Sequence, residues 1–146
     1  MAITSAICNS FKVEILKAIH NFTASSGNTF NLALYTSSAT LNKSTTAYSS
    51  TNEIANTSGS AYSAKGLALT SVTPVLSSDT AVCDFANISW SSASFTARGC
   101  LIFNDTASGD PSVCAIDFGG DKTVTSGTFT IEFPAPNAGT AIIGIA

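Results

Sequence analysis

The stretch Ala93-Ser-Phe-Thr-Ala-Arg-Gly-Cys-Leu-Ile-Phe-Asn104, followed by Asp105-Thr-Ala-Ser-Gly-Asp-Pro111 and Ser112-Val-Cys-Ala-Ile-Asp-Phe118, decides the fold of this chain. Two apolar runs flank seven residues that almost all favour turns, because Gly and Pro supply special backbone angles while Asp and Ser bond their own backbone. The pattern predicts a β-hairpin that reverses at residues 105–111.

Both arms of this hairpin are apolar on both faces. A strand of that kind is usually covered on both sides, so we expect a second sheet, a helix or a neighbouring subunit over each face. Simple alternation along the first arm places Phe95, Ala97, Leu101 and Phe103 on one side, and Cys100 and Ile102 on the other side with Thr96 and Arg98.

Further short strands are predicted at regular spacing, at residues 29–35, 66–72, 80–85, 94–103, 112–118, 128–133 and 140–145. Turn signals separate them at residues 73–74, 77–79, 104–111, 119–121 and 134–139, and Trp90 falls between two strands, at the expected sandwich edge. This spacing predicts a mainly β fold, an antiparallel β-sandwich or jelly-roll-like domain with one N-terminal α-helix. We expect a single domain over residues 1–146, with a helical region at 1–28, an excursion at 36–63 and sandwich strands at 66–146.

The N-terminal helix is indicated by Phe11, Ile15, Ala18, Ile19 and Phe22, which recur at helical spacing. Asn9 or Ser10 is expected to cap it, and residues 25–28 to end it. Val13 and Leu16 widen the apolar stripe beyond what one sheet face requires, so contact with a second subunit is expected too. His20 is expected to be a surface or boundary residue without a carboxylate partner.

Residues 36–63 are dominated by Ser, Thr, Asn and Ala. An excursion of this length in a compact domain is usually functional or an interaction arm, and the competing interpretation is a set of short irregular strands. Its isolated large residues are expected both to anchor the excursion and to contact other copies or a capsid: Leu41, Tyr48, Ile54 and Tyr62.

Charge is scarce in this chain. Charged residues make up 10% of the 146 residues, against about 25% in ordinary soluble domains. A surface of small neutral polar groups is easily dehydrated against another such surface, which favours a subunit of an assembly over a free monomer. The net charge of −3 and the six scattered basic residues argue against nucleic acid as a partner. No apolar run approaches the roughly 20 residues that cross a bilayer, and the start lacks the basic region of a secretory signal, so neither a membrane partner nor secretion is expected.

No catalytic residue, metal ligand set or cofactor motif is predicted, and we expect the protein not to be an enzyme. The chain has four cysteines without close pairing and one histidine, which makes a zinc site improbable. Cys100 and Cys114 lie in opposing arms of the hairpin, where a reducing compartment favours free thiols over a disulfide.

Arg98 is the only arginine, and it lies in the middle of the apolar hairpin. An unpaired charge there is costly, so a carboxylate partner is predicted, with Asp117 first and Asp84 second. This structural ion pair outweighs a catalytic interpretation. Asp84, Asp117 and Glu132 all fall in predicted strands, yet nothing in the sequence pairs two of them for glycosidic cleavage.

Several segments in a fixed order resemble a family of small virion structural proteins of tailed bacteriophages. They are Ala33-Leu34-Tyr35-x-x-Ser38-Ala39-Thr40-Leu41, Thr45-Thr46-Ala47-Tyr48, Thr51-Asn52-Glu53-Ile54, Tyr62-x-Ala64-x-Gly66, Phe95-Thr96-Ala97-Arg98-Gly99, Leu101-Ile102-Phe103-Asn104 and Ala115-Ile116-Asp117-Phe118-Gly119-Gly120-Asp121-Lys122. The resemblance spans most of the chain after Phe30. One departure is Lys65, where relatives often carry Gly.

This resemblance implies a β-rich protein of the virion, made in the cytoplasm of a bacterial host, and specifically a head decoration (cement) protein that binds the major capsid protein as a homotrimer. It supplies no catalytic residue. The alternative is a phage tail subunit or a carbohydrate-binding tail-tip module. Sugar binding favours exposed aromatic residues, and the available ones are Trp90, Tyr35, Tyr48 and Tyr62.

Overall fold

In the computed structural model, which describes residues 2–146, the elements follow one another in a mainly β order. They are β1 (Ala6–Ile7), α1 (Asn9–Leu16), β2 (Phe30–Tyr35), β3 (Leu67–Ala68), β4 (Ser71–Ser77), β5 (Thr80–Phe85), β6 (Ile88–Asn104), β7 (Ser112–Ile131) and β8 (Ile143–Ile145). One sheet has the order β1-β7-β6-β2-β3 and the other the order β4-β5-β8, and all ladders are antiparallel. The predicted β-sandwich-like class with one N-terminal helix is confirmed.

The predicted central hairpin is present, with its reversal between β6 and β7, but both arms are longer than expected. The predicted turn at residues 119–121 is wrong. The ladder pairs Ala97 with Lys122 and Gly99 with Asp117, so residues 118–121 bulge out opposite Arg98 and the strand continues beyond them. Gly119 takes a φ of +81° in this bulge, an angle that glycine adopts without steric cost.

The expected alternation along the first arm is also wrong at its middle. Phe95 and Ala97 pack with Cys100 and Ile102, while Leu101 and Phe103 face the opposite side. The pairing is irregular between Ala97 and Gly99, and the alternation of β6 shifts by one residue there. Because the side-chain period of a strand is two, a shift of one residue exchanges its faces.

Each face of the five-stranded sheet has its own core. The inner core lies between the two sheets and α1, and its sheet residues include Phe30, Leu32, Leu34, Cys100 and Ile102. The outer core lies on the other face and contains Ala33, Tyr35, Leu101, Phe103 and Ala115, covered by Ile3, Ala39 and Leu41. Both faces are therefore covered, the inner one by a sheet and a helix as expected, and the outer one by the chain's own irregular segments.

The helix is shorter than predicted, because α1 ends at Leu16 and not near Phe22. Ala18 has a φ of +59°, the amide of Ile19 donates to the Glu14 carbonyl, and the amide of Ala18 donates to the Ile15 carbonyl. These two bonds form a Schellman motif, with Ala18 at a position that glycine usually occupies. The expected cap at Asn9 or Ser10 is wrong too, since Cys8 holds the N-cap position and its side chain caps nothing.

Two further sequence predictions are corrected. Pro74 lies inside β4 at an irregularity between Val72 and Val75, where a turn was predicted. β4 is an edge strand, so it has no neighbouring strand on its free side. Proline is tolerated there because no ladder partner needs its missing amide hydrogen. Trp90 lies within β6, buried against Tyr62 and Phe95, and not between two strands.

All four cysteines are free thiols. Cys100 lies opposite Ile116, and Cys114 lies opposite Ile102, so the two thiols are diagonal and not directly cross-strand. Within residues 2–146 the structure has no helix of the length and apolarity that a membrane crossing needs.

Candidate functional site

The predicted ion pair of Arg98 is present with the first of its two expected partners. Arg98 Nε lies 3.0 Å from Asp117 Oδ1, and the same carboxylate oxygen accepts a hydrogen bond of 3.0 Å from the Gly119 amide. The Gly119 amide and then the Arg98 guanidinium lower the pKa of Asp117 below its ordinary value. Both side chains are partly exposed, and the pair lies at the β7 bulge, where it supports the backbone.

Lys65 joins the excursion to the hairpin loop. Its Nζ lies 2.8 Å from Asp105 Oδ1 and 2.8 Å from Asp110 Oδ2, and 5.7 Å from the centre of the Tyr48 ring. The backbone of Lys65 has a φ of +69°, in the left-handed region that favours glycine. Lys65 therefore occupies a strained backbone position, and its side-chain contacts offset part of the strain.

The Glu53 carboxylate connects the excursion to the sheet through hydrogen bonds. Glu53 accepts hydrogen bonds from the Tyr48 hydroxyl at 2.6 Å, the Tyr62 hydroxyl at 2.7 Å and the Lys65 amide at 2.7 Å. The Tyr62 oxygen also accepts from the Leu34 amide of β2 at 2.9 Å. Burial first, and the bond to Glu53 second, raise the pKa of Tyr48 to about 12, so both phenols stay protonated and continue to donate.

The residues predicted to contact other copies or a capsid hold the fold together. Leu41 and Ile54 are buried, Tyr62 is 1% exposed, and Tyr48 is half-buried in a stack on Phe103. Their predicted role as anchors agrees with this burial, whereas their contact with other copies or a capsid stays a prediction for which their burial leaves little surface. A side chain already covered by its own chain has little area left to bury against a neighbour.

The expectation for His20 is also wrong. It lies past the end of α1, is buried among the rings of Phe11, Phe22 and Phe30, and has a carboxylate partner. The Asn104 amide donates to His20 Nδ1 at 3.2 Å, so Nε2 carries the proton and donates to Glu14 Oε2 at 2.8 Å. The Asn104 oxygen accepts from the amides of Thr106 and Ala107, which ties the helix end to the hairpin loop.

The three carboxylates weighed for glycosidic cleavage lie in different elements. Asp84 lies in β5, Asp117 is held by Arg98 in β7, and Glu132 follows β7. The described residues contain no group of three or more His, Cys, Asp or Glu side chains that could hold a metal ion.

The aromatic residues considered for sugar binding are covered. Trp90, Tyr35 and Tyr62 are buried, and Tyr48 is half-buried. All the other aromatic side chains of the chain are also buried or half-buried. A sugar-binding platform needs an open ring face, which the buried Trp90, Tyr35 and Tyr62 lack. The partly exposed rings of Phe118, Phe129 and Phe133 line clefts.

The unusual surface is apolar. Among residues 2–146, seven large hydrophobic side chains are exposed: Val13, Leu16 and Ile19 at or just after the helix, Val72, Val75 and Leu76 on β4, and Ile145 on β8. Leu16 is 89% exposed and Leu76 is 72% exposed. The helical part follows from Val13 and Leu16, which the sequence analysis singled out. The β4 part was missed, although Val72, Val75 and Leu76 around Pro74 form an apolar run without a charge.

Two clefts lie along the sandwich. The larger, about 640 Å³, runs between β1, β7 and residues 130–142, and its lining includes Ile7, Ile116, Ile131 and Phe133. The smaller, about 430 Å³, lies between the end of α1 and the three-stranded sheet, lined by Ile15, Ala18, Ala81 and Ile145 among others. The lining residues Ile15 and Ala18 are next in the chain to the exposed Leu16 and Ile19, and the lining residue Ala81 pairs with the exposed Leu76.

Comparison of the chain with protein-family models, with curated proteins and with solved structures gives no match.

Proposed function

We propose that this chain is a structural protein of a tailed-bacteriophage particle, a head decoration protein made in the host cytoplasm that binds the major capsid protein as a homotrimer. The observation that carries the proposal is the exposed apolar surface at α1, β4 and β8, with Leu16 and Leu76 at its two sides. The resemblance of the hairpin and excursion segments to small virion proteins supplies the class of particle.

The physical basis of this function is burial of area. An oligomer on a symmetric shell makes several identical contacts through one rigid body, so modest individual contacts combine into firm attachment and hold neighbouring capsomers together. Because only 10% of the residues in the chain are charged, its surface is dehydrated at low cost when it meets such a shell. The two cores and the anchored excursion give the rigid body that this sum of contacts requires.

No residue has a catalytic role in this proposal. The ionic groups that lie close together serve the fold: Arg98 with Asp117 at the β7 bulge, Lys65 with Asp105 and Asp110, and Glu14 with His20. The tail-tip alternative has less support, because Trp90, Tyr35 and Tyr62, three of the four aromatic residues expected to bind sugar, are buried.

The test is binding of the purified protein to phage heads that lack it. We expect cosedimentation with the heads, saturation at a fixed number of copies, and a higher temperature at which the heads release their DNA. The double variant Leu16→Ser with Leu76→Ser removes apolar area from exposed positions, so it should fold and bind at least tenfold more weakly. Whole particles can also be labelled with an antibody against this protein. Binding of the antibody to tails and not to heads would overturn the proposal.

A further inference from the structure

The inner face of the three-stranded sheet continues beyond the core. Ile143 pairs with Cys83 and is 2% exposed inside the inner core. Ile145 lies two residues further along the same face and is 55% exposed. It pairs with Ala81 of the central strand β5, and Ala81 pairs with Leu76 of β4 on its other edge. Because paired residues in a ladder share a face, a surface that is core at Ile143 lies in solvent at Ile145 and Leu76.

The helix forms the opposite wall of this open region. Leu16 projects at 89% exposure and Ile19 is also exposed, while the cleft of about 430 Å³ separates them from the sheet. We call this region, made of Leu16, Ile19, Leu76 and Ile145 around the cleft, the open end of the sandwich. Monomeric proteins rarely leave contiguous apolar surface of more than a few hundred Å² in water.

Four large apolar side chains are exposed at the open end. Leu16 is 89% exposed, Leu76 72%, Ile145 55% and Ile19 37%, whereas Val72 and Val75 pair with Asp84 and Val82 and lie on the other face of the three-stranded sheet. The surface also contains both a projecting side chain, Leu16, and a cleft that has room for one. A surface that has both a projecting side chain and a cleft that can receive it is complementary to a second copy of itself.

The charges around the open end are complementary between its two walls. The helix carries Lys12 and Lys17, and its one carboxylate, Glu14, is bound to His20. On the sheet side, Asp79 lies in the turn that joins β4 to β5, next to the Leu76–Ala81 pair, and strands β4, β5 and β8 carry no basic residue; Asp84 pairs with Val72 and lies on the other face. When the helix wall of one copy meets the sheet wall of another, positive groups therefore approach the Asp79 carboxylate.

The contact is made by side chains and not by continuation of the sheet. Pro74 and the irregularity between Val72 and Val75 interrupt the free edge of β4, and such features block strand addition. We propose that copies of this chain associate at the open end, with Leu16 of one copy seated in the cleft between α1 and the three-stranded sheet of the next. This inference rests on the proposed function, since it names the contact by which the protein self-associates.

The experiment measures the mass and the dissociation constant of the full chain by sedimentation equilibrium, for wild type and three variants with the same new residue. Leu16→Glu and Leu76→Glu place a carboxylate at the open end, and Thr125→Glu places one at an exposed position of β7 outside it. We expect an oligomeric wild type, a dissociation constant at least tenfold higher for the first two variants, and a change below twofold for the third. Circular dichroism shows whether each variant is folded.

The outcomes separate this inference from the proposed function. An oligomer whose dissociation constant is unchanged by Leu16→Glu and Leu76→Glu overturns the contact at the open end and leaves a decoration protein that associates elsewhere. A monomeric wild type that binds heads through Leu16 also overturns it, because the capsid then occupies the surface. A monomer that binds no heads overturns the inference and the proposed function together.

Discussion

Lys65 adopts a left-handed backbone conformation that costs a residue with a β-carbon about 1–2 kcal/mol relative to glycine. Its side chain offsets this strain with contacts to Asp105, Asp110 and the Tyr48 ring, so the excursion is joined to the hairpin loop at a residue that is both strained and bonded. Lys65 is 40% exposed at its side chain, and exposed ion pairs contribute about 0–1 kcal/mol each. Strain and contacts are thus of similar size.

Two substitutions separate these effects. Lys65→Ala removes the contacts and keeps the strain, so we expect a loss of about 1 kcal/mol in the free energy of unfolding. Lys65→Gly removes the same contacts but relieves the strain. In urea titrations its free energy of unfolding should therefore be about 1 kcal/mol higher than that of the alanine variant. Ala138→Gly, at an exposed position without a positive φ, is the control and should be slightly destabilising. An alanine variant as stable as the glycine variant contradicts the account of Lys65.

In strand β7 the local sequence predicts a turn, whereas the pairing with β6 continues. Residues 119–121 have the composition of a tight turn, yet the strand continues through them, because Lys122 to Ile131 still find partners along β6. The extra residues form a bulge that the Asp117 carboxylate braces through the Gly119 amide and Arg98. A bulge lets the long hairpin bend while its ladder continues.

The bulge predicts different effects for its two adjacent glycines. An added β-carbon meets nothing within 4 Å at either position, but only Gly119 has a left-handed φ. Gly119→Ala should therefore lower the free energy of unfolding by about 1–2 kcal/mol, and Gly120→Ala should leave it unchanged or raise it slightly. Thermal unfolding of the two variants measures the difference. Equal losses at both positions indicate a tight turn in place of the bulge.

At the scale of the whole molecule, two cores on opposite faces of one sheet bury most large side chains, including three of the four cysteines. The excursion contributes Ile54 and Tyr62 to the inner core and Leu41 to the outer one, so it is part of the sandwich and not an appendage. Removal of residues 36–63 is expected to unfold the protein, because it opens both cores.

The reactivity of the cysteine thiols is expected to follow from this burial. Cys83 is partly exposed, and burial raises its pKa to about 11, while burial raises the pKa of Cys114 to about 12 and that of Cys100 well above its ordinary value. At pH 8 a thiol reagent should modify Cys83 slowly and the other three at least a hundredfold more slowly, because only thiolates in contact with solvent react. Raising the pH towards 11 should speed the reaction at Cys83. Mass spectrometry counts the adducts, and Cys83→Ser is the control, expected to stay unlabelled while folded. Rapid labelling of Cys100 contradicts the buried inner core.

The sequence by itself determined the features that depend on neighbouring residues. The turn-rich segment between two apolar runs specified the central hairpin, and short apolar segments specified β2 and β5. The pairing of Arg98 with Asp117 also followed, since a lone charge in an apolar hairpin needs a partner and Asp117 lay in the opposing arm.

Only the tertiary structure decided which side chains face water. The shift of faces at Ala97 and Gly99, the end of α1 at Ala18, the burial of Tyr62 and the exposure of Leu76 each depend on contacts between segments distant in the chain. Alternation and turn propensity are local properties of the backbone, whereas burial is a sum over everything that packs against a side chain. For that reason the sequence pointed to Leu41, Tyr48, Ile54 and Tyr62 as a contact surface, whereas the folded chain covers these side chains and exposes Leu16 and Leu76.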